Sequence, residues 1–143
     1  MAQAIIAAIT DTGRSNFASM LAVGRAFTVT DFVSGSGGHD PGDPSIALTP
    51  DPSVTILPLA SFGPKNITSK SLISPYCVEY ICDLDYTDAV GPLSNFGLIA
   101  TFTYSPIPGD PLVGTTFLFC VANTPLSVKS DSEQKEIRIQ ILF

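Results

Sequence analysis

The chain has 143 residues, a length that fits one domain with a real core. Apolar residues make up 45% and charged residues only 14%, against about 25% charged in an ordinary soluble domain, so neighbours in an oligomer or larger assembly are expected to cover part of its surface. The net charge of −6, with no Lys or Arg from Ser71 to Val128, excludes the run of phosphate-neutralising cations that nucleic-acid binding needs.

The opening stretch Ala4 to Ile9 reads as a short strand or an extended arm. It has no basic n-region and is soon followed by Thr-Asp, so it is not a secretory signal. Thr10 or Asp11 offers an N-cap. Phe17, Met20, Leu21 and Gly24 then follow at the i, i+3, i+4, i+7 spacing of one helical face. The spacing predicts a helix from Asp11 to Val23, ended by Gly24 as C′ residue. It is the one substantial helix expected.

Ala26 to Val33 alternates as a strand, with Phe27, Val29 and Val33 on one face. Asp31 falls on that same face, so the register is imperfect there. Ser34 to Pro52 is Gly-rich and then Pro-rich (Pro41, Pro44, Pro50, Pro52), which predicts a long irregular loop that makes contacts. Its glycines would serve as turn residues at positive φ. Val54 to Leu59 and Ile67 to Ile73 are weaker strand candidates. Four later segments should build the sheet: Tyr76 to Tyr86, Asn95 to Tyr104, Thr115 to Ala122 and Glu136 to Phe143. The first and last alternate, with Tyr76, Val78, Tyr80, Cys82 and Leu84, and then Ile137, Ile139, Ile141 and Phe143, facing in. The middle two are apolar throughout and should be central. The links Thr87–Ser94, Ser105–Leu112 and Asn123–Glu133 are compatible with hairpins.

The expected fold class is therefore mainly β (α+β), an antiparallel β-sandwich or sheet with one N-terminal helix packed on it. Within a single domain 1–143, the arm and helix occupy 1–25, the contact loop 34–53 and the β-core 54–143. No apolar run approaches the roughly 20 residues that span a bilayer.

The chemistry on offer is sparse. Cys77 and Cys82 lie on opposite faces of one strand and cannot pair, and Cys120 sits in an apolar run. An odd count of three argues for quiet buried thiols made in a reducing cytosol. Ser34-Gly35-Ser36-Gly37-Gly38 is followed by prolines, not by the helix that a phosphate cradle needs. His39 is the only histidine and has no zinc-ligand spacing to the cysteines. No Gly-x-Ser-x-Gly nucleophile turn accompanies it. Asp40, Asp43 and Asp51 lack the one-three-five spacing of a calcium loop and read as turn formers. Asn66-Ile67-Thr68 matches the glycosylation acceptor by chance, since no secretory signal precedes it. No catalytic residue, cofactor or metal is expected, and the chain is not expected to be an enzyme. Glu79, Asp83, Asp85, Asp88 and Asp110 form either a solvated acidic surface or a patch that docks on a basic neighbour.

Two segments carry a resemblance. Ile9-Thr10-Asp11-Thr12-Gly13-Arg14 with its helix, followed by Phe27 to Val33 and Ser34-Gly35-Ser36-Gly37-Gly38-His39, is similar to the start of phage tail-fibre and tail-collar N-terminal modules. Gly91 to Ala100 and Thr116 to Asn123, with the closing Ile137 to Phe143, resemble the later half of the same module. The family commonly continues into a fibre shaft, whereas this chain ends at Phe143. The resemblance thus implies an attachment module working as an adaptor between baseplate and tail fibres, made in the bacterial cytoplasm and placed in the virion tail. Its partners would be other tail proteins (baseplate wedge, tail fibre) and copies of itself, with no nucleic acid and no membrane. Contacts are expected at Ile5, Ile6, Gly35, Gly37, His39, Asp40, Pro41, Asp43 and Pro50. A small β-sandwich recognising a host glycan or surface protein is the other reading.

Overall fold

A computed structural model describes residues 4–143, and the first three residues of the predicted arm lie outside them. Strands β1 (Ala4–Ile6) and β2 (Ala8–Ile9) precede helix α1 (Asp11–Val23). Then come β3 (Ala26–Gly35), β4 (His39–Asp40), β5 (Asp43–Ala47), β6 (Ala60–Asn66), β7 (Ser69–Ser74), β8 (Cys77–Leu84), β9 (Gly91–Tyr104), β10 (Thr116–Lys129) and β11 (Lys135–Leu142). A four-stranded sheet in the order β1-β11-β8-β7 faces a five-stranded sheet in the order β2-β10-β9-β3-β6, and β4 and β5 form a separate hairpin. The fold is mostly strand with a single short helix, the β-sandwich class that the alternation predicts.

The inner faces of the sheets meet in one core. Phe32, Cys82, Leu84, Leu93, Leu98, Cys120, Ile139 and Ile141 are fully buried there, each large side chain contributing about 2 kcal/mol of transfer free energy. The alternation of β8 and β11 holds for Tyr80, Cys82 and Leu84 and for Ile137, Ile139 and Ile141. It fails at the strand ends, where Tyr76 and Phe143 are exposed. The middle segments are central as expected, and both run longer than their apolar cores.

The opening stretch is not one arm. Ala4–Ile6 pairs with β11 in the four-stranded sheet, and Ala8–Ile9 pairs with β10 in the other. Buried Ala7, whose N–H donates to the Gln140 carbonyl at 2.9 Å, is the crossing point. Two short strands thus staple the two sheets together. The β1–β11 pairing is parallel, unlike every other pairing described.

Asp31 has a physical explanation. Val29 pairs with Ala100 and Asp31 with the adjacent Ile99, so β3 carries one extra residue at Thr30. Such a bulge flips the side-chain phase. Val29 and then Phe32 enter the core, while Val33 turns to the outer face, against Leu57, Leu118 and Val121. Asp31 is left half-buried, accepting from the Thr30 hydroxyl and the Asn66 amide.

Other expectations are corrected. Residues 54–59 are not a strand; they belong to an outer strap, and β6 begins at Ala60. Pro64 is tolerated in β6 because that strand is an edge with no ladder partner on one side. Of the three links expected to be hairpins, only that between β9 and β10 joins neighbours in one sheet. The β8–β9 and β10–β11 links cross between sheets.

The helix spans the predicted residues. Thr10 is its N-cap, and Gly24, in the left-handed region at φ 88°, ends it with its N–H on the Ser19 and Met20 carbonyls. Phe17 packs edge-on against Phe27, Phe119 and Phe143. Leu21, expected beside it, is 91% exposed, because the helix meets the sandwich through its first turns and projects beyond it at Leu21–Val23.

Candidate interaction surface

The two sequence motifs are places where backbones come unusually close. Thr10 is fully buried. Its hydroxyl donates to the Leu118 carbonyl at 2.7 Å and accepts the Gly13 N–H at 2.9 Å, so one side chain both caps the helix and ties it to β10. At Gly13 a β-carbon would lie 2.7 Å from the Phe119 carbonyl oxygen and 2.9 Å from Ile9 Cγ2. The helix can start this near the sheet only because position 13 has no side chain.

The second motif works the same way, and not through turn geometry. Gly35, Gly37 and Gly38 do not have positive φ. A β-carbon on Gly35 would strike the Leu59 carbonyl and Asn95, one on Gly37 would lie 2.6 Å from the Pro58 carbonyl oxygen, and one on Gly38 would overlap the Ser94 carbonyl. These glycines admit the outer strap on one side and β9 on the other.

Residues 34–52, expected to be one irregular loop, are ordered in three pieces. The end of β3 completes its pairing with β9. The β4–β5 hairpin follows, admitting Pro44 because β5 pairs on one side only. Residues 48–59 then form a strap over the outer face of the five-stranded sheet. It is pinned by Leu48 N–H on the Gly38 carbonyl (2.8 Å), Asp11 N–H on the Pro52 carbonyl (2.8 Å), Asn123 Nδ2 on the Leu48 carbonyl (3.0 Å) and Asn95 Nδ2 on the Pro58 carbonyl (2.8 Å). Beneath it Val54 and Leu57 meet Val33, Ile99, Leu118 and Val121. On its outside and on the hairpin, Ile46, Leu48, Ile56 and Leu59 are exposed.

The expected contact residues fall into two groups. Ile5 is half-buried and Ile6 exposed; both line a groove of about 470 Å³ with Phe96, Thr124, Pro125 and Ile137. Pro41 and Asp43 are exposed on the hairpin, and His39, Asp40, Gly37 and Pro50 are half-buried. Gly35 is buried and offers no surface to a partner. Asn123 lines both the groove and a cleft of about 200 Å³ under the strap, and so links the two groups.

Comparison with protein-family models, curated proteins and solved structures found no match for the chain. Its chemistry must therefore be judged from the side chains themselves. His39 Nδ1 lies 2.8 Å from Ser94 Oγ, a pair that the sequence did not suggest because 55 residues separate the two. Ser94 is fully buried and its Oγ also accepts the Gly38 N–H at 2.9 Å. Neither residue lines a described cleft, and no carboxylate hydrogen-bonds the histidine among the described residues. The pair clasps the end of the glycine motif to β9; it lacks the access and the orienting acid that a nucleophile needs.

Burial pushes the Cys82 and Cys120 thiols up to about 12, which keeps them protonated and inert. All three cysteines are free. No group of three or more His, Cys, Asp or Glu side chains gathers at metal-binding distance among the described residues. Among the described residues no helix is long and apolar enough to cross a membrane.

The acidic stretch is largely answered by cations from outside it. Arg138 pairs with Glu79 at 3.1 Å, Arg25 with Asp110 at 2.7 Å, and Lys65 with Asp88 at 2.5 Å and Asp85 at 3.8 Å. Fully buried Lys129 donates instead to carbonyls, Asp85 at 2.8 Å and Tyr86 at 3.2 Å, holding the β8–β9 link. By contrast, Asp40, Asp43 and Asp51 have no cation within 4 Å among the described residues. Each accepts the N–H two residues on: Gly42, Ser45 and Ser53 respectively. Hydrogen bonds from Ser45 and Ser53 hold the Asp43 and Asp51 carboxyls below the usual range, so these turns stay negative.

Proposed function

We propose that the chain is a structural protein of a phage tail, an adaptor between baseplate and tail fibres that contacts other tail proteins and copies of itself. One observation carries the reading. Four segments of the resemblance (Ile9–Arg14, Phe27–His39, Gly91–Ala100 and Thr116–Asn123) come together at the neighbouring strands β2, β10, β9 and β3, while the closing Ile137–Phe143 lies on β11 in the facing sheet. Thr10, Gly13, Gly35 and Gly38, the residues that make the motifs recognisable, all sit at close approaches to β9, β10 or the strap. A signature of this kind records how a fold is locked and not how a reaction is run. That suits a building block whose work is to hold position.

The surface supports the same reading. Ile46, Leu48, Ile56 and Leu59 stand exposed on a rigidly pinned strap and hairpin, and the arm borders a groove. Exposed apolar side chains on rigid elements suit permanent contacts. The proposal is tested by mass spectrometry of purified particles and a cryo-EM map of the tail. The chain should be present in the particle, with density for its sandwich at the baseplate–fibre joint. Its absence from particles, while it accumulates free in infected cells, would overturn the reading.

A further inference from the structure

The two layers of the sandwich have four edge strands, and among the described residues only one of them is both long and free of proline. β1 and β2 span three and two residues, too short to template another strand. β6 carries Pro64, which lacks a donor, and Lys65, a half-buried charge engaged with Asp88. Both are devices that block edge pairing. β7 (Ser69–Ser74) has no proline, and its one charge, Lys70, is drawn off the strand by a bond to the Thr28 hydroxyl. Its ladder to β8 runs in register from Ser69 to Leu72 and shifts before Ser74, and all six of its residues are exposed. No strand pairs with its outer side, so alternate N–H and C=O groups there face solvent.

An apolar rim adjoins this edge. Ser74 pairs with Cys77, Cys77 with Leu142, and the Phe143 N–H donates to the Tyr76 carbonyl at 2.8 Å. The end of the four-stranded sheet therefore gathers Leu72, Ile73, Tyr76, Leu142 and Phe143, exposed at 70, 50, 70, 58 and 60%. Of these, Leu72 and Ile73 lie on the edge strand itself, one on each face of the sheet, where a strand paired with β7 would cover them.

We propose that β7 is the dimerisation edge of this protein, pairing antiparallel with β7 of a second copy about a two-fold axis to make one continuous eight-stranded sheet. A strand edge is self-complementary under such an axis, since each exposed donor meets the same strand's acceptor. Charge favours the same occupant. The chain carries 13 acidic residues against 7 Lys and Arg, yet Ser69 to Tyr76 contains no acid. Lys70 turns aside to donate to the Thr28 hydroxyl at 3.0 Å. Two copies of an acidic protein thus meet here with little repulsion, whereas contact through the hairpin would set Asp40, Asp43 and Asp51 against themselves.

The test is sedimentation equilibrium of the purified chain, paired with amide exchange measured across a concentration series. A dimer of twice 15.1 kDa is expected, with protection of the Ser69–Leu72 amides rising as dimer forms. The variant L72K/I73K should weaken association by roughly tenfold or more. L21K, on the exposed end of the helix, should leave association unchanged. Exchange on the unmodified chain stands even if the double variant fails to fold. A chain that stays monomeric at the highest soluble concentration overturns the proposal. So does a dimer whose protection lies away from β7, or one that L72K/I73K leaves intact in folded form. None of these outcomes depends on the presence of the chain in a phage particle.

Discussion

Replacing Gly13 by Ala separates tertiary contact from helix propensity, because the two act in opposite directions. Inside a helix, Gly to Ala ordinarily stabilises by about 0.5–1 kcal/mol. Here the added methyl would stand 2.7 Å from a backbone carbonyl of β10 and 2.9 Å from Ile9 on β2. Neither contact is the free end of a flexible side chain, since both partners belong to strands paired in the five-stranded sheet. Relief requires the helix to move off the sheet, which strains the Thr10 bonds to Leu118 and Gly13. Overpacking of this sort costs about 1–3 kcal/mol, so the net expectation is a loss of about 1–2 kcal/mol. At about 3–4 °C per kcal/mol for a chain of this size, Tm should fall by about 5 °C. The assay is urea and thermal unfolding followed by circular dichroism, with S15A at an exposed helical position as control. That control should gain a few tenths of a kcal/mol. An unchanged or raised Tm for G13A would show that the close approach does not exist.

Gly38→Ala should be more damaging than Gly13→Ala, since its β-carbon would overlap the Ser94 carbonyl, whereas Gly42→Ala meets only Asp40 Oδ1 at 3.4 Å and should be tolerated; soluble yield and Tm of the pair check this. Thr10→Val removes both a cap and a buried donor and should cost about 2 kcal/mol by urea unfolding. Lys129→Met leaves the Asp85 and Tyr86 carbonyls without their donor and should cost about 2 kcal/mol, with faster amide exchange across residues 85–89. Bonds from Arg25 first, then Ser105 and the Leu112 N–H, hold the Asp110 carboxyl down at about 2 from an ordinary 3.8. A depressed folded pKa gives stability that is present above the unfolded value and lost as pH falls from about 4 through 2. Acid unfolding should therefore begin in that window, and Asp110→Asn should flatten that part of the profile. An unaltered profile would count against the Arg25–Asp110 pair.

The elements that the sequence reveals are those where one periodicity runs uninterrupted. Helix α1 has a cap residue, a 3.6-residue stripe and a terminal glycine in agreement, and its bounds come out residue for residue. β8 and β11 alternate cleanly, and β9 and β10 announce themselves as apolar runs. Legibility fails where a second element decides. Leu21 fits the stripe but lies past the edge of the sandwich. Asp31 looks like an error of register until the bulge at Thr30 is seen. β5 and β6 contain prolines and would be refused as central strands, correctly, yet they serve as edges. The glycine motif was recognisable as a pattern, but its purpose was not, because the carbonyls that it accommodates come from Pro58, Leu59 and Ser94, 21 or more residues away. Ser94, Asn95 and Asn123 give no sequence signal for the same reason; each is an ordinary strand residue until the strap and the histidine close over it.

The low charge of the chain takes a more specific meaning from the fold. Three of its seven cations, Arg25, Lys65 and Arg138, are spent on carboxylates of the acidic stretch, and Lys129 is buried on carbonyls. Four of the five carboxylates of that stretch thus lie within 4 Å of a cation of the chain itself, which makes the stretch a weaker acidic dock than its sequence suggests. Three of the acids with no cation within 4 Å among the described residues, Asp40, Asp43 and Asp51, cluster on the hairpin and the adjoining strap, which also carry exposed Ile46 and Leu48. An acidic rim next to apolar side chains suits a basic partner and repels a second copy. The β7 edge and its rim have the opposite character, apolar and free of acid. The two surfaces thus differ in whom they admit: the strap face favours a different protein, and the β7 edge favours the same one. The proposed adaptor, which would join copies of itself to a different tail protein, calls for that division, and here it would arise from where thirteen acids and seven cations fall on one small sandwich.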